Sequence, residues 1–129
     1  RRVFAKITGH RFGFGAVKEE IKIDYILLNE FLEFLEKEVK FFEEWIEDIP
    51  SVWDRFDTTG ALSYEKAIKY GVVGVGARAS GVTIDRRDTE WYKIYGFEIA
   101  LGKKGEVSDR FRLRIKEIYN SIKLIKNLK

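Results

Sequence analysis

The chain has 129 residues, 45% hydrophobic and 35% charged, the mix of a globular domain rather than of a disordered or fibrous segment. It holds no cysteine and one histidine, which excludes disulfides, thiolate metal ligands, cysteine nucleophiles and multi-histidine metal sites. A net charge of +3 is a poor argument for nucleic acid, and no apolar run approaches the roughly 18 residues that cross a bilayer. The start at Arg1-Arg2, without methionine, reads as the cut edge of something longer, and residues 1–129 as a single domain.

Residues 1–9 read as the end of a helix. Leu28, Leu32, Leu35, Val39, Phe42, Ile46 and Ile49 then alternate steps of four and three, the spacing of a helix buried along one stripe, which Phe31, Phe34, Phe41 and Trp45 widen. Asp24 suits its N-cap and Pro50 its stop. Asp57-Thr58-Thr59-Gly60 reads as a turn. Residues 63–70 form a short helix capped by Ser63, with Gly71 placed for a left-handed C′ position. The run 71–76 is too rich in glycine for a helix, and Phe97, Ile99 and Leu101 alternate like a half-buried strand. After a turn at 102–105, Phe111, Ile115, Ile118, Ile122 and Ile125 mark a last helix over 108–128, capped by Ser108 or Asp109. The expected class is mainly α (α+β): long antiparallel helices, a short helix and a small glycine-rich β/loop insert.

Charge is unevenly spread. An acid-rich stretch from Glu19 to Asp48 faces a base-rich one from Lys103 onward, and the two are expected to neutralise each other within the fold. The alternative is a stand-alone helical interaction module whose basic last helix binds an acidic partner or nucleic acid. Gly74-Val75-Gly76-Ala77-Arg78-Ala79 fits the loose dinucleotide pattern G-x-G-x-x-A, but no βαβ unit surrounds it, so the glycines read as sites of close packing or positive φ. Arg78 is expected to pair with Asp85 or Asp88 and hold its loop, since a planar guanidinium matches a carboxylate. His10 is the single side chain able to shuttle a proton near neutral pH.

Several runs together carry a resemblance: Gly60-Ala61-Leu62-Ser63, Gly71-Val72-Val73-Gly74, Ala77-Arg78-Ala79-Ser80-Gly81-Val82, then Asp85 and Arg87, Phe97-Glu98-Ile99, Gly105-Glu106-Val107 and Asp109-Arg110. With Thr8-Gly9-His10-Arg11-Phe12 near the start, the chain resembles the large catalytic subunit of membrane-bound nickel–iron hydrogenases, including formate hydrogenlyase. The same family includes the quinone-site subunit of respiratory complex I. The chain departs from the family pattern at Gly15-Ala16-Val17, where Gly-Gly-Val is usual, and at Ala100, where proline is common. The resemblance implies a middle segment of an oxidoreductase subunit, inactive alone, in a parent that also handles NAD if of the complex I type. It implies no cofactor in this segment: a nickel–iron centre held elsewhere if hydrogenase, quinone if complex I, and iron–sulfur clusters in a small partner subunit. It further implies a membrane arm, a cytoplasmic position on the inner face of the cell membrane, no nucleic acid, and self-association of the isolated piece. His10 and Arg11 would lie near the cavity; Arg78, Ser80, Asp85 and Arg87 would form a structural or subunit-contact loop.

Overall fold

The computed structural model describes residues 2–16 and 23–128; Val17, Glu19 and Glu20 lie outside the described residues. The described elements are seven helices: α1 (Arg2–Thr8), α2 (Tyr25–Glu47), α3 (Pro50–Phe56), α4 (Tyr64–Lys69), α5 (Gly74–Ala79), α6 (Glu90–Ile94) and α7 (Val107–Asn127). The chain divides into two compact units, Arg1–Glu38 and Val39–Lys129.

In the first unit α1 ends at Gly9, whose positive φ turns the chain while the Thr8 hydroxyl donates to the Phe4 carbonyl at 2.8 Å. Asp24 caps α2 as its residue type demands, accepting from the backbone of Ile26 and Leu27 at 3.1 and 3.0 Å. Leu32 is buried, whereas Phe34 stays exposed, so the widened apolar stripe is not covered along its whole length.

In the second unit Pro50 both ends one helix and begins another. It forbids α2 from continuing, and its fixed φ suits the first position of α3. The Trp53 indole donates to the Ile46 carbonyl at 3.1 Å, tying α3 to the last turn of α2. Trp53, Phe56, Phe42 and Phe111 of α7 then meet with ring centroids about 6 Å apart. Glu43 accepts from the Tyr119 hydroxyl at 3.0 Å and Glu47 pairs with Arg112 at 3.5 Å, so the acidic and basic helices do meet, at a few long side chains.

Three short helices end in one device. In α4, α5 and α6 a residue N-terminal to glycine closes the helix, the glycine (Gly71, Gly81, Gly96) takes positive φ, and the next amide reaches back to the helix: Val72 to Ala67, Val82 to Ala77, Phe97 to Tyr92, at 2.9 to 3.1 Å. This is the Schellman arrangement, in which an apolar residue past the glycine folds back onto the helix. Val82 and Ala77 accordingly share one core cluster with Ala67, while Ala79, Ala100 and Leu113 of α7 form a second.

Two expectations fail here. Gly74–Ala79 is a helix despite its glycines, because Ala77, Arg78 and Ala79 are all buried and packing against α4 and α7 outweighs weak local propensity. No strand occurs among the described residues, so the β part of the expected insert is absent. Segment 97–105 is irregular and pairs with no strand: Gly102 and Gly105 donate to the carbonyls of Arg78 and Ala79 at 2.9 and 3.0 Å, and the Glu98 carbonyl accepts from the Asn120 side chain. The end of α5 and a side chain of α7 take up part of its backbone hydrogen bonding, where a strand would have used a ladder. The cap of α7 is also corrected: Glu106 is the N-cap, Ser108 is buried in the first turn, and Asp109 accepts from the Lys104 amide at 2.7 Å.

Gly105 is where this packing is tightest. A Cβ there would lie 2.2 Å from the Leu62 carbonyl oxygen and 2.6 Å from the Ser80 hydroxyl; at Gly71, with a similar positive φ, nothing lies within 4 Å. Gly71→Ala should therefore cost only the left-handed backbone, about 1–2 kcal/mol, and Gly105→Ala clearly more. Paired denaturant titrations measure this, and equal losses would contradict the close approach.

Candidate functional site

Of the residues singled out from the sequence, Arg78, Asp85 and Arg87 come together, joined by Glu117 of α7. Asp85 Oδ1 accepts from the backbone and Nε of Arg87 at 2.9 and 3.0 Å, and its Oδ2 lies 2.7 Å from Arg87 Nη2 and 3.2 Å from Arg78 Nη1. Glu117 Oε1 accepts from Arg78 Nη2 and, at 3.1 Å, from Arg87 Nη2. Two guanidiniums and two carboxylates thus close a ring of formal charge zero. Side-chain exposure is 8% for Arg78 and 5% for Asp85 but 37% for Arg87, so the first two form the buried side and Arg87 the lip. The Arg87 guanidinium also sits 5.2 Å from the centre of the Phe97 ring.

Burial of charge is tolerable here because each ion faces opposite partners and hydrogen bonds. Arg78 could not be replaced by lysine on equal terms, since a point ammonium lacks the fork that reaches Asp85 and Glu117 at once. One atom is left over: Arg78 Nε is buried with no hydrogen-bond partner among the described residues. Asp88, the other expected partner of Arg78, instead pairs with Lys93 at 3.0 Å. Ser80 is buried but takes no part in the ring, its hydroxyl donating to the Gly76 carbonyl at 3.1 Å at the end of α5.

Glu117 is missed by sequence reasoning, although a signal exists. It stands four residues after Leu113 and seven before Leu124, both buried, so it shares their helix face. The stripe of Phe111, Ile115, Ile118, Ile122 and Ile125 hides that second face.

Beside the ring, α4, α5 and the loop after α5 enclose a cleft of about 590 Å³. Ala67, Ala77 and Val82 form buried parts of its wall, and Arg78, Asp85 and Arg86 also line it.

His10 and Arg11 belong to the first unit. His10 is exposed, its Nδ1 accepting from the Phe12 amide at 3.2 Å, which leaves the neutral ring's proton on Nε2. Its ring stands 5.9 and 5.0 Å from those of Phe12 and Phe14, and Arg11 lies over Phe12.

The hydrogen bonds from Arg87, aided by the charges of Arg78 and Arg87, outweigh burial and hold the Asp85 carboxyl down from 3.8 to about 2. The folded state therefore favours the anion, and the resulting stability, about 2 kcal/mol, is complete above pH ~4 and is lost as pH falls through about 2. Asp85→Asn should lower the melting temperature at pH 7 and flatten that acid limb in melts recorded from pH 7 to 2. Arg78→Leu should cost about 3–5 kcal/mol, the usual loss on breaking a buried pair. A wild-type pH profile in Asp85→Asn would show that the carboxylate is not held by the ring.

Comparison with known proteins agrees with the resemblance in the sequence. The family described as "Respiratory-chain NADH dehydrogenase, 49 Kd subunit" matches residues 2–129. NADH-quinone oxidoreductase subunit 4 of Thermus thermophilus is 34% identical over 133 aligned positions, covering 96% of this chain and 32% of that protein. An NADH-quinone oxidoreductase subunit of Flavobacterium psychrophilum is 40% identical over 103 positions, covering 78% of this chain and 25% of its own length. Among solved structures, a chain of the membrane-bound sulfane sulfur reductase, an archaeal respiratory membrane complex, superposes with a TM-score of 0.83 at 25% identity, over 98% of this chain and 37% of that one. The chain spans about a third of the length of the Thermus relative. With a match running through nearly every residue, the chain belongs to the family of the 49 Kd subunit of respiratory-chain NADH dehydrogenase.

Proposed function

We propose that this chain is a scaffolding segment of the large subunit of a quinone-linked, complex I-type oxidoreductase, presenting loops toward the acceptor cavity while the redox groups sit on other polypeptide. The observation that supports this most is the family match across residues 2–129 in a chain with no cysteine. Iron–sulfur clusters are built on thiolates, and the nickel–iron centre implied by the resemblance is held by cysteine pairs. This chain offers none, and among the described residues no group of three or more His, Cys, Asp or Glu side chains could hold a metal. The residues do not fit those groups, so no electron-transfer step is assigned to them. An iron–sulfur partner subunit would carry the clusters.

His10 and Arg11 are the proposed cavity-facing pair. An imidazole with its proton on Nε2, flanked by the rings of Phe12 and Phe14, suits a flat head group carrying carbonyl acceptors. The Arg78 ring is proposed to keep its loop rigid for contact with neighbouring parts of the complex. Among the described residues no helix is long and apolar enough to cross a membrane, and attachment is proposed to be peripheral, on the cytoplasmic face, through a membrane arm. Taken out of such a complex the chain leaves Phe41 and Trp45 exposed, which favours self-association.

Two other acceptors stay in view because fold does not fix chemistry. A hydrogenase-type parent is favoured by His10 in the Thr8-Gly9-His10-Arg11 segment, and a sulfane-sulfur-reducing one by the structural neighbour. Identities of 34 and 40% to quinone-named relatives, against 25% to that neighbour, favour quinone.

The test is to tag the parent gene, purify the product from membranes and assay a quinone analogue, protons and a sulfane sulfur donor as acceptors. Co-purification with iron–sulfur subunits and quinone reduction are expected. His10→Ala should lower that reduction on the order of 10²-fold, the lower end for loss of a positioned proton donor, with the complex intact. A tagged protein running alone, or a complex that leaves quinone unreduced, overturns the reading.

A further inference from the structure

The cleft beside the ring is apolar with one unmatched charge. Val72, Val82 and Ile84 line it, and its rim leaves Val73 and Ile84 at 83% and 70% exposure. Arg78 and Asp85, at one end, neutralise each other inside the ring and offer no net charge. Arg86 differs. It is exposed, it borders the cleft, and no carboxylate among the described residues pairs with it, Asp85 being taken by Arg78 and Arg87. A concave apolar surface with a lone guanidinium at its edge is complementary to an apolar side chain beside an anion.

We infer that this cleft docks a segment of the same subunit lying outside these 129 residues, one that places a large apolar side chain next to an Asp or Glu. The inference rests on the reading that the chain is part of a longer large subunit. Two quantities favour an occupant from the same polypeptide over a separate protein. The chain covers only 32% of the Thermus relative and 37% of the structural neighbour's chain, so in those proteins most of the polypeptide lies elsewhere. The cleft, at about 590 Å³, is the size of a few side chains, whereas a free partner needs roughly 800 Å² on each side for a stable interface. A tethered segment arrives at millimolar effective concentration, where a small groove with one ion pair is enough.

The experiment uses the full-length subunit in its purified complex, with Val73 or Ile84 replaced by the photo-crosslinking residue benzoylphenylalanine. Both sites are exposed, so neither replacement disturbs the core. Irradiation and peptide mapping should give one crosslink within the same polypeptide, to a segment beyond these residues that carries an apolar side chain beside a carboxylate. Arg86→Glu should lower its yield several-fold and Arg86→Lys should retain it. Crosslinks to another subunit, to lipid or to quinone, or none in an assembled complex, overturn the docking while leaving the family reading intact. A native subunit no longer than this chain, running outside any complex, removes the underlying reading itself.

Discussion

A guanidinium buried to the extent of Arg78 has to be surrounded by compensating groups, and the second unit is arranged to provide them. Asp85 comes from the loop after α5, Glu117 from α7, and Arg87 returns from two residues beyond Asp85 to restore neutrality. The ring joins α5, its following loop and α7, adding ion pairs to the contact that Ala79 already makes with Leu113. A six-residue helix holding two glycines has almost no stability of its own. Its three buried residues are consecutive: Ala77 faces the cluster with α4, Ala79 faces Leu113 of α7, and Arg78 between them reaches the carboxylates.

Small side chains make that geometry possible. The two core clusters are built largely from alanine, and Gly102 would place a Cβ 2.5 Å from the Ala79 carbonyl oxygen. Backbone therefore approaches backbone around α5, and the amides of 102 and 105 complete the helix end that α5 leaves open. The result is a closely packed junction flanked by an apolar cleft. The chemistry-bearing candidates His10 and Arg11 stand instead on an exposed aromatic loop of the first unit. Three basic residues of α7 have partners on other segments: Arg110 donates to the carbonyls of Gly60 and Gly105, and at the surface Arg112 pairs with Glu47 and Lys123 with Glu98.

What is legible in the residues alone is local. The Asp24 and Ser63 caps, Gly71 at C′, and the long helices follow from side-chain chemistry and period, and each is found. Arg78, Asp85 and Arg87 of the ring are visible because arginine beside acid in a glycine-rich loop is unusual. Failures come wherever a distant partner decides. Local propensity disfavours 74–79 as a helix, and only the contacts of Ala77 and Ala79 overturn that. The alternation at 97–101 has the period of a strand, but Ala100 is buried and Leu101 exposed because the segment answers to helix ends. Glu117, 39 residues from Arg78, shares a helix face with buried Leu113 and Leu124, but nothing local names Arg78 as its partner. Pro50 signals a stop more plainly than it signals the start of α3, though it serves as both.

A double-mutant cycle between Arg78 and Glu117, using Arg78→Met, Glu117→Gln and the double variant in equilibrium unfolding, tests most directly whether the ring holds α5 to α7. If it does, the two positions should be coupled by more than about 1.5 kcal/mol, within the span found for residues sharing one buried network. Losses that add to within about 0.5 kcal/mol would mean that α5 is held by its alanines alone and that the charges are passengers.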